Sequence, residues 1–409
     1  MQATRTTTVL TDGTNVVPRT VKGLSLVSLF NDFASEMVYP LLPAFVTGAL
    51  GGGPVALGAL DGAADLTAAL LKWVSGWLAD RPGWRRPLIL IGYLTAVLIR
   101  PLISVAGAAS QVIGFRVIDR IGKGLRTPPR DALIADVTPP AARGRAFGFH
   151  RGADHFGAIL GSLAAWYFLS AGANVRQVIA WSALPGVVAF VVLAFVLARR
   201  SAKTGAAGAR SPEHKNGLTE AESPGQAGFW PPILALAALT FCRMPEALLL
   251  LRLQQAGVAV TLVPLVWAAL HVVRSGASYP GGRLVDSVGP RIAVTAGAVL
   301  FALAIGAMGL ETGAVGVTVA FLVFGGVAGL TESAERSLVA RLAPVHIGRG
   351  FGAYHAVTGL AALPAAVVFG ELYQQLGSQT ALWGSAAAVL LAAGWWLVVS
   401  PAGTAESTS

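Results

Sequence analysis

Gly76-Trp77-Leu78-Ala79-Asp80-Arg81-Pro82-Gly83-Trp84-Arg85-Arg86 is the stretch whose reading decides the fold. It lies between two long apolar runs and carries two glycines, an acid and a basic cluster. A polar loop this short between two such runs must turn the chain back at a membrane surface. The same skeleton returns at Gly282-Arg283-Leu284-Val285-Asp286-Ser287-Val288-Gly289-Pro290-Arg291. Gly, Leu, Asp, Gly and Arg match at one offset, since 282 − 76 and 291 − 85 both give 206. That is half of a 409-residue chain, which therefore reads as two copies of one unit.

Composition agrees. Hydrophobic residues make up 54% and charged residues 12%, with a mean hydropathy of +0.65. A soluble domain carries about 25% charged residues, so an integral membrane protein is expected. Helices crossing a bilayer need roughly 20 residues each, and about twelve apolar runs meet that length. They fall near 23–50, 54–79, 87–108, 111–136, 142–170, 175–198, 229–253, 258–284, 290–311, 314–341, 347–375 and 379–399. Around them lie tails at 1–22 and 400–409 and a linker at 199–228, rich in charge, Gly, Ser and Pro and expected to be disordered. This divides the chain into six-helix bundles at 23–198 and 229–399.

A net charge of +10 is compatible with a nucleic-acid partner, but the positions of the charges argue otherwise. If the helices alternate, Arg81, Arg85, Arg86, Arg143, Arg145, Arg199, Arg200, Arg291, Arg341 and Arg349 share one side with both termini. The opposite loops near 51–53, 105–110, 311–316 and 376–378 contain no Lys or Arg, leaving Arg176 and Arg252 as exceptions. This positive-inside bias places both termini in the cytoplasm and the chain in the cytoplasmic (inner) membrane, with lipid rather than nucleic acid as its surroundings. The polar segment before the first span has no apolar core for a cleaved leader, so targeting falls to helix 1 itself. Cys242 is the only cysteine, which rules out an internal disulfide or a thiolate metal cluster.

Charge inside a span costs roughly 3 kcal/mol or more per group, so such residues face a cavity or a partner. Asp32 and Glu36 lie four apart on one face of helix 1, and Asp61 and Asp65 repeat that spacing on helix 2, followed by Lys72. They either handle protons or make structural polar contacts. Two acids without a base on the same helix favour proton handling. On helix 3, Arg100 beside Pro101 either takes a carbonyl freed by the proline or snorkels to the outer interface. Helix 4 is the most charged, with Arg116, Asp119, Arg120, Lys123, Arg126, Arg130, Asp131 and Asp136. Some of these neutralise one another at helical spacing, and Pro128-Pro129 should loosen the helix.

Gly148-x-x-x-Gly152 and Gly157-x-x-x-Gly161 on helix 5 allow close helix approach, and Arg151, Asp154 and His155 share that helix. In the second half Arg243 and Glu246 lie on helix 7, His271 and Arg274 on helix 8, and Glu335 on helix 10. Glu246 stands near the repeat position of Glu36, since 246 − 36 = 210. Gly348-Arg349-x-Phe351-Gly352 matches Gly144-Arg145-x-Phe147-Gly148 at 204. A rise of 1.5 Å per residue sets Asp32 level with Arg120 and Glu36 level with Arg116. No set of side chains has metal-ligand or nucleophile spacing, so neither an enzyme, a resident metal nor a cofactor is expected.

The pattern G-x-L-x-D-R-x-G-x-R resembles the loop motif of the major facilitator superfamily of transporters, and Arg120-x-x-x-Gly124 resembles its helix 4 signature. Gly157-x-x-x-Gly161 resembles its antiporter motif, with Ser162 where that motif has proline. Three longer segments look like a bacterial subgroup of drug or metabolite exporters: S-E-M-x-Y-P-L-L-P, D-R-x-G-K-G-x-R-x-x-P-R-D-A-L-I-A-D and R-G-x-A-F-G-F-H-R. The resemblance implies an all-α membrane fold of two pseudo-symmetric six-helix bundles and a monomer that moves a small molecule by alternating access. It implies export driven by protons, with Asp32, Glu36, Asp61, Asp65, Arg116, Arg120, Arg151, Asp154 and Glu246 in translocation. It also implies a gating lock at Gly76, Asp80, Arg81, Gly83, Arg85 and Asp136, with a second copy at Gly282, Asp286, Gly289 and Arg291. Import of an organic anion with protons, a transport-inactive sensor and a membrane enzyme are the alternatives.

Overall fold

A computed structural model of the chain describes residues 17–79, 81, 83–138, 143–206, 226–310, 312–342 and 347–400. Most of the expected tails and linker, and Asp80 of the loop motif, lie outside the described residues. Of Asp286 only the backbone is described.

Among the described residues the helices make twelve passes. We label them α1 (Arg19–Val38, extended by short turns to 49), α2 (Pro54–Ala79), α3 (Arg85–Leu102), α4 (Ala109–Asp136), α5 (Arg143–Ser170) and α6 (Val175–Trp181 with Ala183–Ala206). The second half holds α7 (Gln226–Cys242 with Glu246–Gln255), α8 (263–288), α9 (290–308), α10 (Gly313–Leu342), α11 (347–376) and α12 (378–399). Seven stretches are long and apolar enough to cross a bilayer by length and composition alone. Charge on α1, α4 and α5 keeps those helices out of that set, and α8 contributes only the shorter apolar stretch Val263–Ala277. Leu391 and Val398 are 78% and 81% exposed, a disposition that suits a lipid surrounding.

The repeat seen in the sequence returns in the backbone. Gly83 and Gly289 turn the chain with φ of 82° and 80°, at the same offset of 206 that relates the two motifs. A side chain disfavours that left-handed region, so glycine is required at both turns. Proline breaks are repeated as well. Pro40 turns the end of α1 into a 3₁₀ segment, and Pro245, at 245 − 40 = 205, interrupts α7. Each proline lacks the N–H that would continue the helix.

Glycines set the packing inside the first bundle. A Cβ on Gly157 or Gly161 would stand 2.2 Å from Leu29 O or 2.3 Å from Phe33 O, so α5 lies directly against α1. Gly152 of the preceding pair faces open space and makes no such contact. Contrary to the sequence expectation, α4 runs unbroken through Pro128-Pro129. Pro128 cannot donate to the carbonyl of Gly124, and the Ser75 hydroxyl of α2 donates to it instead at 2.7 Å.

The two halves meet through α2 with α11 and α5 with α8. Small residues carry the first seam: a Cβ on Gly58 would stand 2.1 Å from Ala366 O, and one on Gly62 2.7 Å from the Ala366 Cβ. The start of α1 and the end of α12 lie on one face of the protein, called here the terminal face. The broken part of α7 and the start of α8 lie toward the opposite, far face.

Candidate functional site

Buried charge divides into two sets. The first is a framework inside the first bundle. Arg100 Nε donates to Asp119 at 3.0 Å and Arg100 NH1 to Asn31 O at 2.8 Å, so Arg100 is a buried ion-pair partner and does not snorkel. Arg116 stands 3.7 Å from the other Asp119 oxygen, with its guanidinium over the Tyr39 ring at 5.3 Å. Arg126 donates to Gly92 O at 2.8 Å and lies 4.7 Å over the Tyr93 ring. Arg130 pairs with Asp131 at 3.0 Å and reaches Ser28. Asp32 accepts from Asn31 Nδ2 at 2.9 Å, and Asp154 lies between Arg151 at 3.5 Å and His150 at 3.8 Å on α5.

The second set lines a central cavity of about 470 Å³ between the halves. The first half contributes Glu36, Tyr39, Asp61, Asp65 and Arg120. The second half contributes Arg243, Glu246, Trp267, His271, Arg274, Glu332 and Glu335, with Phe301 and Phe324 as apolar wall. The structure thus brings together Glu36, Asp61, Asp65, Arg120 and Glu246 of the expected residues. Asp32, Arg116, Arg151 and Asp154 are not in that lining. Glu36 and Arg116, set level by helix rise, have different partners. Height along a helix fixes depth but not facing, and Arg116 has its own acid, Asp119, three residues on.

Glu36 instead turns to the other half. Trp267 Nε1 donates to it at 2.8 Å and His271 Nε2 lies 3.9 Å away. Asp61 does the same at the break in α7. Its Oδ2 accepts from Tyr39 OH at 3.0 Å and from the backbone N–H of Ala247 at 3.0 Å. Ala247 is in the first turn of the Glu246–Gln255 segment, whose N-cap is Pro245 and has no side-chain cap. A carboxylate of one half thus caps a helix of the other, where exposed N–H groups and the helix dipole favour negative charge. Tyr39 and Trp267 pack with ring centroids 5.2 Å apart beside this contact. All of these contacts lie toward the far face. Within the second half Arg274 pairs with Glu246 at 2.5 Å and Arg243 with Glu335 at 3.4 Å.

Sequence reasoning missed Tyr39, Asn31 and Trp267. Nothing in spacing marks a single aromatic as a cross-bundle donor, although the proline after Tyr39 signalled a distorted helix end. At the loop motif Arg85 pairs with Asp136 and donates from Nε to Ala79 O at 2.8 Å. In the second copy Arg291 donates to Leu397 O, a carbonyl at the end of α12. Arg176 and Arg252, the exceptions to the charge rule, are held by carbonyls where helices end. Arg176 donates to Ser104 O and Ala106 O, and Arg252 to Met308 O and Leu310 O. Unsatisfied carbonyls at helix ends attract such cations.

Comparison with known proteins gives a consistent result. The family model of the Major Facilitator Superfamily matches residues 24–273 and 247–409. An uncharacterized MFS-type transporter of Methanocaldococcus jannaschii is 27% identical over 375 residues, covering 90% of this chain and 92% of that one. The multidrug resistance protein MdtH of Proteus mirabilis is 31% identical over 134 residues, 32% of this chain and 33% of its own. Among solved structures, a POT family transporter in complex with 5-aminolevulinic acid superposes with a TM-score of 0.75 at 12% identity, covering 94% of this chain and 96% of its own. A D-xylose–proton symporter gives 0.71 at 16% identity, with 93% and 97% covered. With a matching family model from residue 24 to residue 409 and the two-bundle fold in place, this chain belongs to the Major Facilitator Superfamily of transporters.

Proposed function

We propose that the chain is a proton-coupled exporter of small organic molecules. It works by alternating access of the 23–198 and 229–399 bundles in the inner membrane, with the terminal face in the cytoplasm. Ion gradients rather than a cofactor drive members of this family. One observation carries the proposal: Glu36 and Asp61 of the first half accept hydrogen bonds from Trp267 and Ala247 of the second. Deprotonated, they hold the far face closed, because a charged acceptor strengthens each bond. A proton, or a substrate that occupies the same carboxylates, weakens both bonds and lets the far face open. An empty, deprotonated site stays shut. Competition of proton and substrate for one pair of acids is the requirement for exchange. Asp65, Arg120 and Glu246 share the cavity and tune that competition, while Asp32, Arg116, Arg151 and Asp154 support it from the first bundle. Arg85–Asp136, with Gly76, Asp80, Arg81 and Gly83, serves as a lock at the terminal face, and Gly282, Asp286, Gly289 and Arg291 form its second copy. The partial likeness to a multidrug resistance protein is in keeping with export.

Import of an organic anion is the second reading, favoured by Arg120, Arg243 and Arg274 in the cavity wall. Inverted membrane vesicles separate the two. A compound library is added to vesicles holding an acid-inside pH gradient, and discharge of the gradient is recorded. Export predicts discharge by some compounds, absent in Glu36→Gln and Asp61→Asn vesicles. Proton-driven uptake confined to right-side-out vesicles would reject it.

A further inference from the structure

Of the devices in the cavity that would hold an anion, two guanidiniums and one helix end are already occupied by the protein's own carboxylates. Asp61 caps the α7 segment at Ala247 N–H. Glu246 holds Arg274 at 2.5 Å, and Glu335 holds Arg243 at 3.4 Å. Across the whole wall six carboxylates stand against three guanidiniums, so the lining as a whole carries a surplus of acid. Two of its aromatic rings already accept a cation. The Arg274 guanidinium lies 5.5 Å from the Trp267 ring and 5.6 Å from the Phe324 ring. A further observation points to a guest. His271 is 8% exposed and faces this cavity, yet neither of its ring nitrogens has a hydrogen-bond partner. Its Nε2 lies 3.9 Å from Glu36, too far for a bond between them but suited to one donor placed between both. Buried polar groups left unpaired are costly, so a ligand that supplies an N–H there is favoured.

Resting on the transport reading above, we infer that the cavity takes a protonated organic amine. Its N–H donates to Glu36 and His271, and a flat apolar body lies along Trp267, Phe301 and Phe324. The volume of about 470 Å³ falls within the range of small-molecule pockets. A quaternary ammonium retains the charge but has no N–H, and so leaves His271 unsatisfied. A carboxylate of the same shape meets the acid surplus and finds Arg243 and Arg274 already paired, which leaves Arg120 alone against six carboxylates.

The full chain in lipid nanodiscs is titrated calorimetrically with naphthylethylamine, its trimethylammonium analogue and naphthylpropionate. We expect the amine to bind, with the trimethyl analogue and the propionate each weaker by about ten-fold or more. In His271→Phe the amine should fall to the affinity of the trimethyl analogue, whose own affinity is unchanged. Glu36→Gln should weaken both cations. Propionate binding as tight as the amine, or no amine binding up to millimolar concentration, overturns the inference. Counterflow of the bound probe in proteoliposomes keeps the two readings apart. An amine that binds but is not moved supports the site and rejects transport. A propionate that is moved while the amine does not bind rejects the site and leaves transport standing.

Discussion

Replacing Asp119 tests whether the charges of α4 form a framework or belong to the coupling machinery. Its carboxylate is fully buried between Arg100 at 3.0 Å and Arg116 at 3.7 Å, and these arginines are 3% and 1% exposed. Arg116 Nε and NH2 have no hydrogen-bond partner, so no neighbouring acceptor substitutes for the lost charge. Arg100 keeps Asn31 O at 2.8 Å. Removing one member of a buried pair costs about 3–5 kcal/mol. Asp119→Asn retains an acceptor for Arg100 and should fall near the low end, about 3 kcal/mol, whereas Asp119→Ala should lose about 5 kcal/mol. The smaller figure corresponds to about a hundred-fold change in the folding equilibrium. Unfolding in mixed micelles titrated with sodium dodecyl sulfate and followed by circular dichroism reads the difference. Asp136→Asn is the control, because its pair with Arg85 is 48% and 35% exposed and an exposed pair contributes about 1 kcal/mol or less. An Asp119→Asn loss below about 1 kcal/mol would refute the framework reading, as would unchanged stability with abolished proton coupling.

Cysteines introduced at Gly52 and Ser378 in a Cys242→Ser background should label from outside intact cells, and one at Gly217 only after permeabilisation; labelling at 217 from outside would invert the topology. Gly157→Ala and Gly161→Ala should each cost about 1–3 kcal/mol, because the added methyl meets a backbone carbonyl of α1, while Gly152→Ala should be neutral or stabilising in the same unfolding assay. At the loop motif, Arg85→Ala should slow turnover several-fold with substrate affinity retained, since it removes the Asp136 pair far from the cavity; equal loss of affinity would count against a gating role.

Much of the fold was readable because it was written twice. The offset of 206 in the loop motif reappears as matched turns at Gly83 and Gly289, and runs of apolar residues gave the helix positions to within a few residues. The membrane imposes this legibility, since a spanning segment must satisfy its backbone internally and over a fixed length. Facing was harder to read. Asp32 and Glu36 share a helix face by spacing, yet one bonds to Asn31 beside it and the other crosses to Trp267. A rotation of α1 that periodicity does not specify decides between them. The continuity of α4 through two prolines was hidden for a related reason. The compensating hydroxyl belongs to Ser75, 49 residues away in sequence, and only tertiary packing brings it to Gly124 O. Asp61 was identified as a buried acid, but its role as cap for α7 depended on where the break at Pro245 lies in space.

The proposed coupling requires Glu36 and Asp61 to hold the far face shut while deprotonated. Its most direct test is a pulsed electron–electron distance measurement between spin labels at Ser110 and Leu310, which lie on the far face in opposite halves, in a Cys242→Ser background in nanodiscs. Acidification from about pH 8 to about pH 4 reaches the ordinary carboxylate range. The account predicts a single short distance at the higher pH and growth of a longer one on acidification. The Glu36→Gln/Asp61→Asn double variant should show the longer distance at both values. A distribution that does not respond to pH, or a double variant that matches the parent at both, would contradict it.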